Sequence, residues 1–457
     1  MLDVLISYVA PFLGVLVVLV VIHELGHFIT AKLFGVKVLE FGIGYPPRLW
    51  GFKRGETEYT VNMLPLGGFV RLLGEEDPSD PHSLAALAAW KRLVVMGAGA
   101  FMNLVLAIFL FSLAVTLPRE VPVGRAVIAQ VVPESPAAMA GLKVGDVIEE
   151  IDGRNVASVS EASYNIRLNL GEETDIVVRR TDPITQEVSQ ETVTVTPRWA
   201  PPTYDYMVQP GDDVSSVADA TGFDRDAVRQ AADIEFVLPE DTTLVIGSGE
   251  QAIHYETQPG DTVAYVARLL RVSDADVAAA AGFGDSDTLA AGTMLHFAQG
   301  ATGIRIGAQY AFTETRSEGP WTALKRGWRS TWDSLKLARN EIYAKIKGAS
   351  GSAPVSGPIG IAQVTGEVIE TAGWRSLIEF AGLLSINLAI LNILPLPMLD
   401  GGRMAFVVIE VLRRGRRIAP AKEALVHLVG MGALLILVIV LSYFDVARIV
   451  RGEDLFR

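Results

Sequence analysis

Val17-Val18-Leu19-Val20-Val21-Ile22-His23-Glu24-Leu25-Gly26-His27 sets two histidines and a glutamate at the end of an otherwise aliphatic run. The run predicts a membrane-spanning helix, and an ionisable or metal-binding group at that depth is costly enough to mark a functional position. A helix advances ~100° per residue, so His23 and His27 lie about 40° apart on one face, one turn apart. Two imidazoles so placed can share one metal ion, and the His-Glu-x-x-His spacing points to Zn2+. Glu24 is directed to the side of the pair, where a carboxylate can take a proton from water activated by the metal. The stretch therefore implies a hydrolytic zinc centre within a bilayer. A purely structural helix would gain nothing from three such groups, and the chain has only 6 histidines.

Composition agrees with that reading. The chain has 457 residues, 50% of them hydrophobic and 20% charged, and its mean hydropathy is +0.34. Soluble chains of this length are rarely so apolar, and several membrane spans account for it. Four spans are expected, roughly Leu5–Thr30, Leu93–Leu117, Leu377–Leu396 and Ala424–Tyr443, each near the ~20 residues that cross hydrocarbon. The first is not expected to be a cleaved signal, because it lacks a basic leader and a small-residue exit and carries the histidine motif.

Lys32, Lys37, Arg48, Lys53, Arg54, Arg71, Lys91 and Arg92 follow the first span; Arg403, Arg413, Arg414, Arg416, Arg417 and Lys422 follow the third. By the positive-inside rule both loops are cytoplasmic, which puts the N-terminus and the long segment between spans two and three outside. That segment is acid-rich and accounts for the net charge of −13; no nucleic-acid partner is expected. With 0 cysteines, disulfides, thiol catalysis and thiolate zinc sites are excluded.

Two imidazoles leave a catalytic zinc short of a ligand, since such sites usually have three protein ligands and water. Asp400, at the end of the third span in Asn392-Ile393-Leu394-Pro395-Leu396-Pro397-Met398-Leu399-Asp400-Gly401-Gly402, is the expected third. A carboxylate there is costly unless a metal or protein partner compensates it. Pro395 and Pro397 break the helix and free carbonyls, while Gly401 and Gly402 permit close backbone approach. Between the histidines and span two, the segments around 58–62 and 65–71 read as short strands joined by Gly and Pro turns, able to pair with an extended substrate.

The outer segment has three textures. Val127–Val132, followed by Ser135-Pro136-Ala137, Ala140-Gly141-Leu142 and Gly145-Asp146-Val147-Ile148, resembles a PDZ domain, a fold that binds peptide at a sheet edge. Tyr206-Met207-Val208-Gln209-Pro210-Gly211-Asp212 then recurs as Tyr255-Glu256-Thr257-Gln258-Pro259-Gly260-Asp261. Each copy is followed by helix-like sequence and a short strand, and the pair resembles LysM modules, which bind N-acetylglucosamine-containing glycans such as peptidoglycan. Thr302–Gly307 reads as a strand closing the PDZ fold around the inserted repeats. Pro320–Lys347 has helical periodicity, with Trp321, Trp328 and Trp332 among basic residues; it is expected either along the membrane interface or as a packing helix under the PDZ domain.

Taken together, His23-Glu24-Leu25-Gly26-His27, the Gly-rich hairpin, Gly357-Pro358-Ile359-Gly360 and the stretch from Asn392 to Gly401 resemble the site-2 protease family of intramembrane zinc metalloproteases, of the regulator-of-sigma-E type. The resemblance covers all but the LysM-like insert. It implies zinc held by His23, His27 and Asp400 with Glu24 as base. It also implies a substrate strand held by Asn392 and Pro395 with help from Asn387, and Pro397 is placed in the same group. The implied substrates are single-pass membrane proteins, such as anti-sigma factors already trimmed outside, in regulated intramembrane proteolysis. The outer region would filter substrates or sense the cell wall.

The expected fold is a polytopic α-helical membrane protein with a β-hairpin region, an extracytoplasmic PDZ-like α/β domain and two βααβ LysM-like modules. Its boundaries are 1–120 (spans one and two), 121–202 and 300–318 (PDZ-like), 203–299 (LysM-like), 319–350 (amphipathic helix) and 351–457 (spans three and four). The active site is expected toward the cytoplasmic side of a bacterial cell membrane. A non-catalytic scaffold displaying PDZ and LysM modules is the first rival; it would not need His23, Glu24, His27 and Asp400 together. A metal transporter is the second, and the hydrolase-type Glu24 and the PDZ-like domain argue against it.

Overall fold

A computed structural model describes residues 5–75, 77–182, 184–221, 223, 225–232, 238, 242–247, 252–258, 261–270, 272, 274–282, 289–348 and 357–450. Pro259 and Gly260 of the second repeat lie outside the described residues. The chain divides into two units, one of Met1–Val121, Thr315–Arg339 and Gly351–Arg457, the other of Pro122–Glu314 and Asn340–Ser350.

The first unit starts with a π-helical turn, Leu5–Val9, and α1 (Ala10–Leu33), with Pro11 in its first turn, where a missing N–H costs nothing. The helix stops at Gly35, whose φ of 77° suits a left-handed terminator. Two long strands follow, β1 (Val38–Arg54) and β2 (Thr57–Leu72), rather than the short ones expected. Their register explains the difference. Gly42 pairs with Phe69 on one side and Thr60 on the other, while Arg54 pairs back with Thr57. Repeated register shifts thus bend two strands into a sheet of four ribbons, with 38–43 between 57–62 and 68–72. Next, α2 (Ala89–Thr116) carries the second apolar stretch. Ala31, Val36, Val38, Leu72, Leu84 and Val95 close a shared core where α1, the sheet and α2 meet.

The second unit contains β3 (Arg119–Val131), α3 (Pro136–Ala140), β4 (Val147–Ile151), β5 (Arg154–Asn155), α4 (Val159–Leu168), β6 (Thr174–Thr181) and β7 (Val188–Val195). Ser135 caps α3 by accepting from the Ala138 N–H, and Gly141 ends it at φ 88°. Buried Asp146 is held by the Arg180 fork at 2.7 and 2.8 Å. The repeats supply β8 (Thr203–Met207), α5 (Val214–Thr221), α6 (Arg225–Ala231), β9 (Thr243–Ile246), β10 (Ile253–Glu256), α7 (Val263–Leu270), α8 (Asp274–Ala280) and β11 (Met294–Ala298). After them β12 (Ile304–Arg316) joins the sheet beside β3, giving the order β12-β3-β4-β6-β7 with β5 on β4. Ile128, Ile148, Ile151, Ile176 and Val178 fill the core under it.

The repeats correct the expectation of two self-contained βααβ modules. The strands form as expected, but β8 pairs with β11 and β9 with β10. The first repeat's helices therefore share a core with Leu295 and Phe297 of β11, while the second repeat's helices share theirs with Leu244 and Ile246 of β9. Each compact lobe draws a strand from both copies. Both copies follow the same strand–turn–helix–strand plan and so present equivalent strand edges, which leaves the exchanged partner as available as the local one. The exchange sets Thr203 opposite Ala298, so the insert's two ends lie side by side.

The chain continues with α9 (Pro320–Ile346), which belongs to the first unit as far as Arg339, and the first unit then holds α10 (Pro358–Ile393), α11 (Asp400–Leu412) and α12 (Pro420–Val450). Among the described residues four helices are long and apolar enough to cross a membrane: Ser7–Leu33, Ala89–Thr116, Pro358–Ile393 and Ala421–Ile449. The third begins well before the expected Leu377, because two helical pieces join at a kink where Gly373 takes φ 76°. It ends at Ile393, before Leu396, because Pro395 lacks an N–H and forces Leu394 into an extended conformation. Its start is capped by buried Asp445 of α12, which accepts from the Gly360 N–H at 2.8 Å. One face of α9 packs on α2: a Cβ at Gly327 would meet Ser112 Oγ at 2.1 Å and the Ile108 carbonyl at 2.5 Å. Trp321, Trp328 and Trp332 line the exposed face.

Candidate metal centre

Three helices deliver the site. His23 and His27 lie one turn apart on α1 and are buried. Asp400 is the first residue of α11. The His23 Nε2 and His27 Nε2 atoms lie 3.0 and 3.2 Å from Asp400 Oδ2 and 3.2 Å from each other. No other group of three or more His, Cys, Asp or Glu side chains among the described residues is placed to hold a metal. Zinc bonds of ~2.0–2.1 Å at tetrahedral angles set ligand atoms about 3.3 Å apart. The observed separations match that to within a few tenths of an ångström. Two imidazole nitrogens and a carboxylate oxygen form the donor set that zinc prefers when no thiolate is offered.

Space is provided by α2. Gly99 faces the two rings, and a Cβ there would lie 2.5 Å from His27 Nε2 and 2.6 Å from His23 Nε2. Gly26 permits the same close crossing, since a Cβ on it would sit 2.4 Å from the Ala98 carbonyl oxygen. The ring of His27 is oriented through Nδ1, 2.8 Å from the Val95 carbonyl, and that of His23 contacts Asn103 at 3.3 Å.

Glu24 is half-buried beside the pair, near the Val70 backbone N–H and under the sheet, with Gly68 close enough that a Cβ there would be 3.7 Å from Glu24 Cγ. The close approach of Gly401 and Gly402 is direct. A Cβ on Gly401 would meet the Leu394 carbonyl at 2.1 Å, and one on Gly402 the Leu396 carbonyl at 2.3 Å. A second acid lies in the same region. Glu379 lies in α10, but one turn from Arg375 and paired with it at 2.5 Å, whereas the contacts of Asp400 are the imidazoles.

The remaining expected residues do not all converge. Asn392 is buried and its amide donates to the Leu388 carbonyl at 3.0 Å. Asn387 is exposed and, five residues earlier, projects about 140° around the helix from Asn392. Pro395 is exposed in the loop before α11. Pro397 packs against α12 at Gly430, where a Cβ would lie 2.0 Å from the proline Cβ.

Sequence reasoning missed four contributors. Val95 acts through its carbonyl, which no side chain advertises. Gly99 is one small residue among several in Gly97-Ala98-Gly99-Ala100. His427, on α12, accepts from the Met398 N–H at 2.9 Å and so pins the loop leading to Asp400. Asn103 was legible: an amide near the middle of an apolar span is costly for the same reason the histidines are.

The model of peptidase family M50 matches residues 11–437. A protein of Clostridium perfringens described as a candidate zinc metalloprotease is 30% identical over 431 residues, covering 94% of this chain and 95% of the relative. The zinc metalloprotease RasP of Oceanobacillus iheyensis is 25% identical over an alignment of 523 residues, covering 96% and 99%. The regulator of sigma E protease of Salmonella typhi is 29% identical over 428 residues, covering 89% and 91%.

Proposed function

The chain belongs to peptidase family M50 and is a zinc metalloprotease of the membrane, and we propose that it cleaves single-pass transmembrane proteins inside the bilayer. The observation that carries this reading is the meeting of His23 Nε2, His27 Nε2 and Asp400 Oδ2 from distant segments. In it these three hold the metal and Glu24 is the base. Zinc, when bound, supplies Lewis acidity, lowering the pKa of a coordinated water toward ~7 and polarising a carbonyl.

The chain's own residues do the rest. Glu24 accepts the proton of the attacking water and passes it to the leaving amine. A substrate helix hides its carbonyls in intrahelical bonds, so it must open before attack. The ribbon 68–72 pairs with 38–43 on one side only among the described residues, and its first residue adjoins Glu24. Its free edge is a template for an extended substrate strand beside the base. Asn392 and Pro395 complete that groove; Asn387 faces elsewhere, and Pro397 supports the loop.

In the same reading the site lies toward the cytoplasm and the second unit outside. The sheet containing β12 and β3 acts as a PDZ-like filter, α9 sets its tryptophan face at the bilayer surface, and the exchanged repeats engage peptidoglycan or another N-acetylglucosamine glycan. The substrates are of the anti-sigma type, and their release alters transcription. Membrane proteomes from cells carrying wild-type or Glu24→Gln protein test the reading. Single-pass fragments, already shortened on the outer side, are expected to accumulate only with the variant. Identical fragment patterns would contradict it. Retention of the isolated 203–298 segment on peptidoglycan tests the glycan role, and no retention removes it.

A further inference from the structure

The structure assigns Asn103 as the residue that fixes the proton of His23, and with it the nitrogen presented to the metal. The inference rests on the zinc reading above and goes one layer outward from it. A neutral imidazole carries one proton, and a ring that binds metal through Nε2 must carry it on Nδ1. For His27 the requirement is met visibly, because Nδ1 faces the Val95 carbonyl at 2.8 Å, which can only accept. Nε2 is therefore bare and directed at Asp400.

For His23 the partner is ambiguous in kind. Its Nδ1 lies 3.3 Å from the Asn103 side-chain amide, with the amino end facing the ring and the carbonyl oxygen buried without a partner. In that orientation the amide would donate, Nδ1 would be bare, and the ring proton would sit on Nε2, aimed at the metal position. The two ends of an asparagine amide are nearly identical in shape, and the hydrogen-bond network decides which is which. His23 is the hydrogen-bond partner found for this amide, so the histidine decides. Turning the amide by 180° lets its oxygen accept from Nδ1–H and leaves Nε2 bare, as on His27.

Asn103 is suited to the task in two further ways. It is fully buried, so no water competes for the ring proton. Its own backbone carbonyl accepts from Ser385 Oγ at 2.8 Å, which ties this turn of α2 to α10. Second-layer partners of this kind typically change metal affinity 10- to 100-fold when removed.

The test uses full-length protein purified in detergent, with zinc affinity read by chelator competition and thermal unfolding measured alongside. Asn103→Leu, which keeps the volume and removes both polar ends, is expected to weaken zinc binding about 10- to 100-fold. Asn103→Asp can accept but not donate, and is expected to hold zinc far better than Asn103→Leu. Equal loss in both variants would mean that the amide acts as a donor, and wild-type affinity in Asn103→Leu would mean that it does not act; either result overturns the assignment.

A second measurement uses no variant of Asn103 and so does not depend on whether a buried aspartate folds. In metal-free protein labelled with 15N-histidine, where no zinc dictates the tautomer, the His23 Nδ1 resonance, assigned by its loss in His23→Ala, is expected in the protonated range. A bare Nδ1 overturns the proposal. Failure of the underlying reading is separable: the wild-type protein would then bind no zinc through His23 at all.

Discussion

Gly99 illustrates how little room the centre leaves. Its missing side chain is what allows α2 to pass within contact of both imidazoles, and a single methyl there would lie closer to the His27 Nε2 and His23 Nε2 atoms than non-bonded atoms tolerate. Gly97, two residues away, has only Met404 within ordinary contact, at 3.8 Å. Gly99→Ala is therefore expected to lower zinc affinity by at least ~10-fold, the scale of disturbing a metal's immediate surroundings, and to cut cleavage accordingly. Gly97→Ala should leave both near wild type. Metal analysis of the two purified variants checks this pair, and equal zinc content in both would show that the α2 crossing does not define the site.

At the scale of single elements, the repeated Gln-Pro-Gly-Asp turn has a physical reason. Asp212 accepts from the Gln209 N–H at 2.7 Å and from Tyr206 Oη at 2.9 Å, and Asp261 accepts from the Gln258 N–H and Tyr255 Oη at 2.8 Å each. The Gln209 N–H first, and Tyr206 after it, hold the Asp212 carboxyl below the usual carboxylate range. Enclosure, then the bond to Asp261, pushes the Tyr255 phenol up to about 12. A carboxyl whose folded pKa is lowered contributes stability above its unfolded value, and that stability is lost as pH falls through the lowered one. Asp212→Asn is accordingly expected to speed hydrogen exchange in 203–232 at neutral pH. The difference from wild type should vanish only once the pH has fallen below the lowered pKa of Asp212. Unchanged exchange at neutral pH would contradict it.

Elements of this kind were legible in the sequence wherever local chemistry fixes them: the helix carrying His23 and His27, the spans, the Pro395 break, the strands of both repeats. Partner choice was not. The exchange of β9 and β11 and the doubling of the hairpin into four ribbons depend on which of several equivalent edges meet. Asp400 could be inferred because an acid beside an apolar span needs a partner. Gly99 and Val95 could not, because a glycine and a main-chain carbonyl carry no signal of their own.

For the whole molecule, the insert behaves as a closed appendix. Its ends, Thr203 and Ala298, are paired neighbours, and its two lobes have cores separate from that of the sheet. Antiparallel neighbours lie about 4.5–5.5 Å apart, a gap that a two- or three-residue linker spans. Replacing 203–298 with such a linker is expected to preserve thermal stability of the rest and zinc content, while removing any response to cell-wall glycan. Loss of zinc on deletion would show that the insert supports the centre. The claim on which everything else stands is that His23, His27 and Asp400 together hold the metal while Glu24 does not. Zinc stoichiometry of purified full-length protein tests it most directly. About one zinc per chain is expected in wild type and in Glu24→Gln, where cleavage should fall by ~10²–10⁴, and almost none in His23→Ala, His27→Ala or Asp400→Ala. Full zinc occupancy in Asp400→Ala, with an unaltered fold, would contradict it.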